Sequence, residues 1–231
     1  MTPVEEVLPK EKREAVRAAW LASGGFYSPW LHLGTTSVVG VGLVVAAALS
    51  LHGLRWGHLG FGLGTLLFAN AGEWAIHKYL LHTRVKPFGL LYDRHTPQHH
   101  LVFVTDDMEI RGAHEFRLVL IPAFGIVLAF VGLLPAIAGL WLWDPNLAGV
   151  FTIGTIGYVV SYEWLHLVWH LPESSALGRL TLVKVLKRHH ALHHDPRLMQ
   201  RWNFNVTLPL WDLVRGTFVR DPERVLRPRS P

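Results

Sequence analysis

The sequence predicts an all-α integral membrane protein, with a four-helix transmembrane bundle and a cytoplasmic helical cap that holds a histidine-rich dimetal site. Three observations favour this fold. Half of the 231 residues are hydrophobic and 17% are charged, whereas about 25% of the residues of a typical soluble domain are charged. Several long stretches are apolar. Eleven of the fifteen histidines fall into four clusters near the ends of these stretches.

Four apolar stretches are long enough to cross a membrane, which takes about 20 residues in a helix. They run from Leu31 to Leu54, from Trp56 to His77, from Leu118 to Trp143 and from Pro145 to Pro172. Asp, Glu, Lys and Arg are absent from the first and third stretches, while the second contains Glu73 and the fourth contains Glu163. We therefore expect a cytoplasmic N-terminal segment (1–30), a membrane-embedded domain (31–220) and a basic C-terminal tail (221–231).

The distribution of basic residues predicts the orientation of the chain in the membrane. Of the 22 Lys and Arg residues, 21 lie in the N-terminal segment, in the loop between the second and third stretches, or after Pro172, and Arg55 is the exception. Cytoplasmic loops of membrane proteins carry such an excess of Lys and Arg. Both termini and the middle loop are thus predicted to be cytoplasmic. The same distribution explains the net charge of +5 without nucleic acid as a partner.

The histidine clusters read HKYLLH at 77–82, HTPQHH at 95–100, HLVWH at 166–170 and HHALHH at 189–194. Imidazole binds metal ions in its neutral form, and the chain has no cysteine, so nitrogen and oxygen must supply the ligands. One metal takes about four to six donors, so the clusters offer enough for two. The predicted metal ligands are His77, His82, His95, His99, His100, His166, His170, His190, His193 and His194.

Spacing within the clusters predicts which histidines share a metal. Residues four apart lie on one face of a helix, so we expect the pairs 95/99, 166/170 and 190/194 each to bind one ion. Adjacent histidines point about 100° apart, so 99/100 and 193/194 are expected to address different ions. His77 and His82 are five apart, which predicts that the helix loosens near His82. The sequence does not decide whether His189 is a ligand. The four isolated histidines are expected to be structural: His32, His52, His58 and His114.

Glu73 and Glu163 are acids within apolar stretches, where charge is unfavourable and usually functional. We expect both to support catalysis from outside the ligand set, each accepting a hydrogen bond from a ligand imidazole and fixing its tautomer. Direct ligation and simple pairing between helices are the alternatives.

The clusters resemble the histidine boxes of the fatty acid hydroxylase family, an integral-membrane family that also includes sterol desaturases. The family pattern runs H-x(3–4)-H, H-x(2–3)-HH, H-x(3)-H and H-x(2)-HH. The stretch WNFNVTLPLWD at 202–212, followed by Arg215-Gly216-Thr217, is similar to the family's C-terminal signature, with Asn205 where a glycine is common. The resemblance covers about residues 70 to 220.

This resemblance implies a centre of two iron ions, which zinc could replace in recombinant protein, and dioxygen as a co-substrate. It implies a monooxygenase that hydroxylates a C–H bond of a fatty acyl or sterol-like lipid. The chain shows no flavin motif or iron–sulfur ligands, so we expect an external electron-donor protein.

Two other functions are compatible with the sequence. A lipid desaturase would use the same centre and remove a second hydrogen instead of adding oxygen. A non-enzymatic haem or metal carrier belongs to another class, but its ligands would lie deep within the membrane or on both sides of it. The clustering at one edge therefore favours the enzyme.

Overall fold

A computed structural model describes residues 7–23 and 25–226. The protein is 68% helical, and within these ranges it forms no β-strand, so the predicted all-α class is confirmed. The α-helices of the described chain are α1 (Lys10–Ala22), α2 (Pro29–Leu49), α3 (Trp56–Ile76), α4 (Gly89–Arg94), α5 (His100–Val102), α6 (Phe116–Val119), α7 (Ala123–Trp143), α8 (Pro145–Trp169), α9 (Thr181–His193), α10 (Leu210–Arg215) and α11 (Glu223–Leu226). Residues 1–6 and 227–231 of the predicted terminal segments lie outside the described residues.

The four long helices α2, α3, α7 and α8 correspond to the four predicted stretches. Two of them begin at residues that suit a helix N-terminus. The backbone N–H of Leu31 donates to the Ser28 hydroxyl at 3.2 Å, and that of Asn146 donates to Asp144 Oδ1 at 2.9 Å. Each capping residue precedes a proline at the first helical position, where the missing N–H is harmless.

Two of the predicted boundaries are wrong. The helix α2 ends at Leu49 instead of Leu54, because the chain turns at Gly53, which has a φ of 58°. The third stretch is divided between α6 and α7. Pro122 explains this break, since a proline excludes the preceding residue from the helical conformation, and α7 starts only at Ala123.

By length and composition, α2 and α7 could each cross a membrane. Of the residues in α7, Ile126 alone is buried, and most of the apolar side chains of this helix face outward. The helices α3 and α8 have comparable length but bury polar residues, among them Asn70 and Glu163. The two apolar helices indicate membrane association. A four-helix membrane bundle and its orientation stay predictions.

The helix α8 packs against α2, α3 and α7. Glycine allows its close approach to α3, because a Cβ at Gly154 would lie only 2.8 Å from the Thr65 methyl group. The helices α3 and α8 run parallel: His58 contacts Asp144 at their N-terminal ends (3.0 Å), and Asn70 donates to Tyr158 further along (2.9 Å). Their histidine-bearing C-terminal ends therefore reach the same end of the molecule.

The shorter helices form a cap at this end. Its apolar core includes Val102, Phe103, Phe116 and Leu167. The helix α1 joins the cap through three ion pairs: Arg17 contacts Glu115 at 2.6 Å, Arg13 contacts Asp107 at 3.1 Å, and Glu14 pairs with Arg111. This packing closes the cap over the C-terminal ends of α3 and α8.

Candidate metal centre

The ten predicted ligands lie in two groups of five, and within each group one nitrogen from every ring lies within 4.8 Å of the others. Site A contains His77, His82, His95, His100 and His193. Site B contains His99, His166, His170, His190 and His194. All ten rings are buried. The structure thus brings together residues that are more than a hundred positions apart in the sequence.

Two π-helical turns bring histidines of site A onto one face. They span His77–Leu81 and His95–His99. In the first turn the N–H of His82 donates to the carbonyl of His77 at 3.1 Å, which brings residues five apart into register. The two rings stack with their centroids 5.1 Å apart. This is the loosening that the five-residue spacing predicts.

The second π-helical turn changes one predicted pairing. His95 lies in site A with His100, whereas His99 lies in site B. The expected pairing of His95 with His99 assumed α-helical geometry and is wrong, because a π-helical turn aligns residues five apart. The remaining pairings agree with the spacing: 166/170 and 190/194 share site B, and 99/100 and 193/194 are divided between the sites.

The Nε2 atoms of the rings converge in each site. In site A, Nε2 of His95 lies 2.9 Å from that of His77 and 3.0 Å from that of His100. In site B, Nε2 of His190 lies 3.1 Å from that of His194. Five converging nitrogens cannot all be satisfied by sharing protons in pairs. A cation about 2.1 Å from each nitrogen fits the spacing, since adjacent ligands of an octahedral ion then lie about 3 Å apart.

In five of the ten rings, the opposite nitrogen donates to a backbone carbonyl. Nδ1–H of His99 donates to the carbonyl of Leu118 at 2.8 Å, and Nδ1–H of His194 donates to that of Phe103 at 2.7 Å. The same contact joins His170 to Met108, His193 to Trp202 and His77 to Phe204. A proton held on Nδ1 leaves a lone pair on Nε2, so these bonds orient the rings for metal binding.

Burial keeps the loop and cap histidines neutral. It lowers the pKa of His99 to about 4, although the bond to the Leu118 carbonyl acts in the opposite direction. Burial also lowers the pKa of His193 to about 4. The pKa of His100 falls well below its ordinary value through burial and the neighbouring His194. At pH 7 these rings carry no charge, which is the form that binds a metal ion.

The two sites are neighbours. His100 of site A stacks on His194 of site B, with the ring centroids 4.1 Å apart. His95 and His99 form a second contact between the sites, at 5.3 Å. Ions in sites A and B would therefore be close enough to act on one bound molecule.

Glu73 and Glu163 do not form the hydrogen bonds to imidazoles that the sequence suggested. Glu73 accepts from the N–H groups of Val206 and Thr207 and from the hydroxyls of Thr207 and Tyr158. Glu163 accepts from the N–H of Ile121 at 3.1 Å, and among the described residues its second oxygen has no partner. Backbone carbonyls, most of them in non-helical segments, occupy the positions beside the rings that these acids were expected to take.

Asp212 positions the segment that supports His77 and was missed as a site residue. It is fully buried and accepts from the N–H of Phe204 at 3.0 Å and of Asn205 at 2.8 Å. The carbonyl of Phe204 in turn accepts from His77. The signal was available in the 202–217 signature, which contains Asp212 and Thr217. Thr217 donates to Asp212 at 2.6 Å.

His189 lies outside both sites, with Nε2 3.3 Å from Asp212 Oδ2. The four isolated histidines also lie elsewhere. His32 contacts Tyr27 and the carbonyl of Ile121, His58 contacts Asp144, and His114 is exposed.

Ten buried imidazoles in two adjacent groups, beside helices apolar enough to cross a membrane, define a membrane-associated protein with a histidine-rich candidate metal centre. Residues 62–217 match the fatty acid hydroxylase family. The chain belongs to this family, which confirms the resemblance seen in the sequence. No curated protein and no solved structure matches the chain. Family membership indicates an oxidoreductase that acts on lipids.

Proposed function

We propose that this protein is a membrane-embedded oxygenase that hydroxylates a C–H bond of a fatty acyl or sterol-like lipid at a centre of two iron ions. The observation that carries the proposal is the convergence of Nε2 atoms from five rings in each of two adjacent sites. A saturated C–H bond offers no acidic proton, so residues alone cannot break it. Iron would supply dioxygen activation and the oxidising power.

The protein's own contribution is to hold and shield this centre. Sites A and B would each bind one ion through five imidazoles. The carbonyls of Phe204, Leu118 and Trp202 keep Nδ1 protonated in three of these rings, so the lone pairs on Nε2 point inward. Burial of the rings keeps water from the metal centre, which matters because water would compete for the metal and intercept reactive species.

The proposal includes a four-helix membrane domain over residues 31–220, flanked by the terminal segments 1–30 and 221–231. Both termini and the metal centre would face the cytoplasm, as the basic residues predict. A lipid could then approach from the bilayer, while a separate electron-donor protein delivers electrons from the aqueous side.

Lipid mass spectrometry tests the reaction. Cells that express the protein should accumulate a lipid with one added oxygen atom, and cells that express His194→Ala should not. The matched control is His114→Ala, because His114 is exposed and lies outside both sites. A product that has lost two hydrogens without gaining oxygen would identify a desaturase. Unchanged lipids despite a fully loaded metal centre would contradict the enzymatic proposal.

A further inference from the structure

The short helix α10 exposes a continuous apolar face. Leu213 and Val214 are 57% and 66% exposed, and Leu210 and Leu208 are about half exposed. Four large apolar side chains on and beside one short helix form a surface that water does not favour, and such surfaces mark sites of contact with a partner or a membrane.

The N-terminal end of α10 is fixed to α3. The backbone N–H of Trp211 donates to the side-chain oxygen of Asn70 at 2.9 Å, and the amide of Asn70 donates to the carbonyl of Leu208 at 2.9 Å. Asn70 lies about 9 Å before the end of α3 at Ile76, given a rise of 1.5 Å per residue. The helix α10 therefore lies beside the last turns of α3 and not beyond its end.

The segment of α3 just before Asn70 is also exposed. Leu66, Leu67 and Phe68 lie about 3–6 Å before Asn70 along the helix axis and face outward. If α3 crosses the membrane, as the proposed function requires, these side chains contact lipid, and the apolar face of α10 lies at the same depth.

Two cations lie near the end of α3. The guanidinium of Arg215, the last residue of α10, lies 5.2 Å from the ring centroid of Trp74, and Lys78 Nζ lies 4.8 Å from that ring. Lysine and arginine are typical of the boundary between membrane and water, where their long side chains reach toward the headgroups. This arrangement places charge at headgroup level and the apolar side chains below it.

We propose that α10 is an interfacial helix whose partner is the lipid bilayer. Leu210, Leu213 and Val214 insert into the leaflet beside the metal centre, while Arg215 and Lys78 contact anionic headgroups. The buried face of the same helix carries Asp212, which holds the segment whose Phe204 carbonyl supports His77. Membrane contact and the wall of site A are thus parts of one element.

The chain has no cysteine, so a single introduced cysteine gives one defined label. Val214→Cys and Leu213→Cys are labelled with bimane in the full-length protein, reconstituted in nanodiscs of phosphatidylcholine and phosphatidylglycerol. Quenching is measured with nitroxide-bearing lipid and with aqueous iodide. Asp106→Cys, on an exposed loop of the cap, is the aqueous control, and Val131→Cys on α7 is the membrane control.

Labels at Val214 and Leu213 should be quenched by the nitroxide lipid several-fold more than the label at Asp106, and by iodide several-fold less. Strong iodide quenching at Val214 would overturn the proposal. Protection from both quenchers would overturn it too, because a protein surface would then cover α10. Iodide quenching at Val131 as well would show instead that the membrane-embedded function itself is wrong.

Discussion

The imidazole rings of His100 and His194 stack with their centroids 4.1 Å apart and an angle of 21° between their planes. Each ring belongs to a different group of five. His100 of site A and His194 of site B are therefore in direct contact, and this pair of stacked rings would separate the ions in the two sites. Metal binding at one site should consequently influence the other.

We expect two metal ions per chain after reconstitution with iron, because each site offers five inward nitrogens. Elemental analysis of purified protein measures this ratio. Recombinant protein that carries zinc should show the same stoichiometry, since zinc also binds imidazole well. A ratio of one or less after full reconstitution would mean that the two groups do not form a dinuclear centre.

Removal of a ligand should affect both metal content and turnover. His99→Ala and His194→Ala should lower the bound metal and abolish activity, with a loss greater than the roughly 10–100-fold typical of residues that only orient a ligand. His58→Ala and His114→Ala should retain the metal, since both residues lie outside the sites. Full metal content in His99→Ala would show that site B is built differently.

Asp212→Ala should destabilise the protein and weaken metal binding at site A. It leaves the buried N–H groups of Phe204 and Asn205 without their acceptor, and each such loss costs about 1–3 kcal/mol. For a chain of this size the melting temperature should fall by at least about 4 °C. Asp106→Asn is the control, because Asp106 is exposed. An unchanged melting temperature and full metal content would leave the 203–206 segment without a role at the site.

The sequence was sufficient to predict the long helices and to single out the ten histidines that converge, because both follow from local sequence patterns. Apolar runs and clustered histidines need no knowledge of tertiary contacts. The orientation of the rings could not be predicted in the same way. Their Nδ1 atoms bond to carbonyls of Phe103, Met108, Leu118 and Trp202, and every residue has a carbonyl. Nothing in a sequence distinguishes the carbonyl that will face a histidine.

The incorrect pairing of His95 with His99 has a different cause. Helical spacing of four was the simplest interpretation of HTPQHH, but His95 and His100 are five apart, as His77 and His82 are. Two clusters with the same five-residue interval indicate the same π-helical turn. That repeated interval was visible in the sequence, and it was the signal that an α-helical interpretation of the second cluster overlooked.

The last prediction concerns topology, on which the proposed function depends. The contact between His58 and Asp144 holds the N-terminal ends of α3 and α8 together, so the two helices enter the membrane from the same side if both cross it, as the proposed function requires. Because the basic residues predict a cytoplasmic middle loop and C-terminus, reporter fusions at the C-terminus and after Arg111 should report the cytoplasm, and a fusion near Asp144 should report the outside. The location of each fusion is measured with a pair of enzyme reporters that are active on opposite sides of the membrane.

One outcome would contradict the proposed function. If the loop after Arg111 were outside while the C-terminus was inside, the bilayer would separate His95 to His100 from His189 to His194. Sites A and B could not then form, and the oxygenase proposal would fail with them.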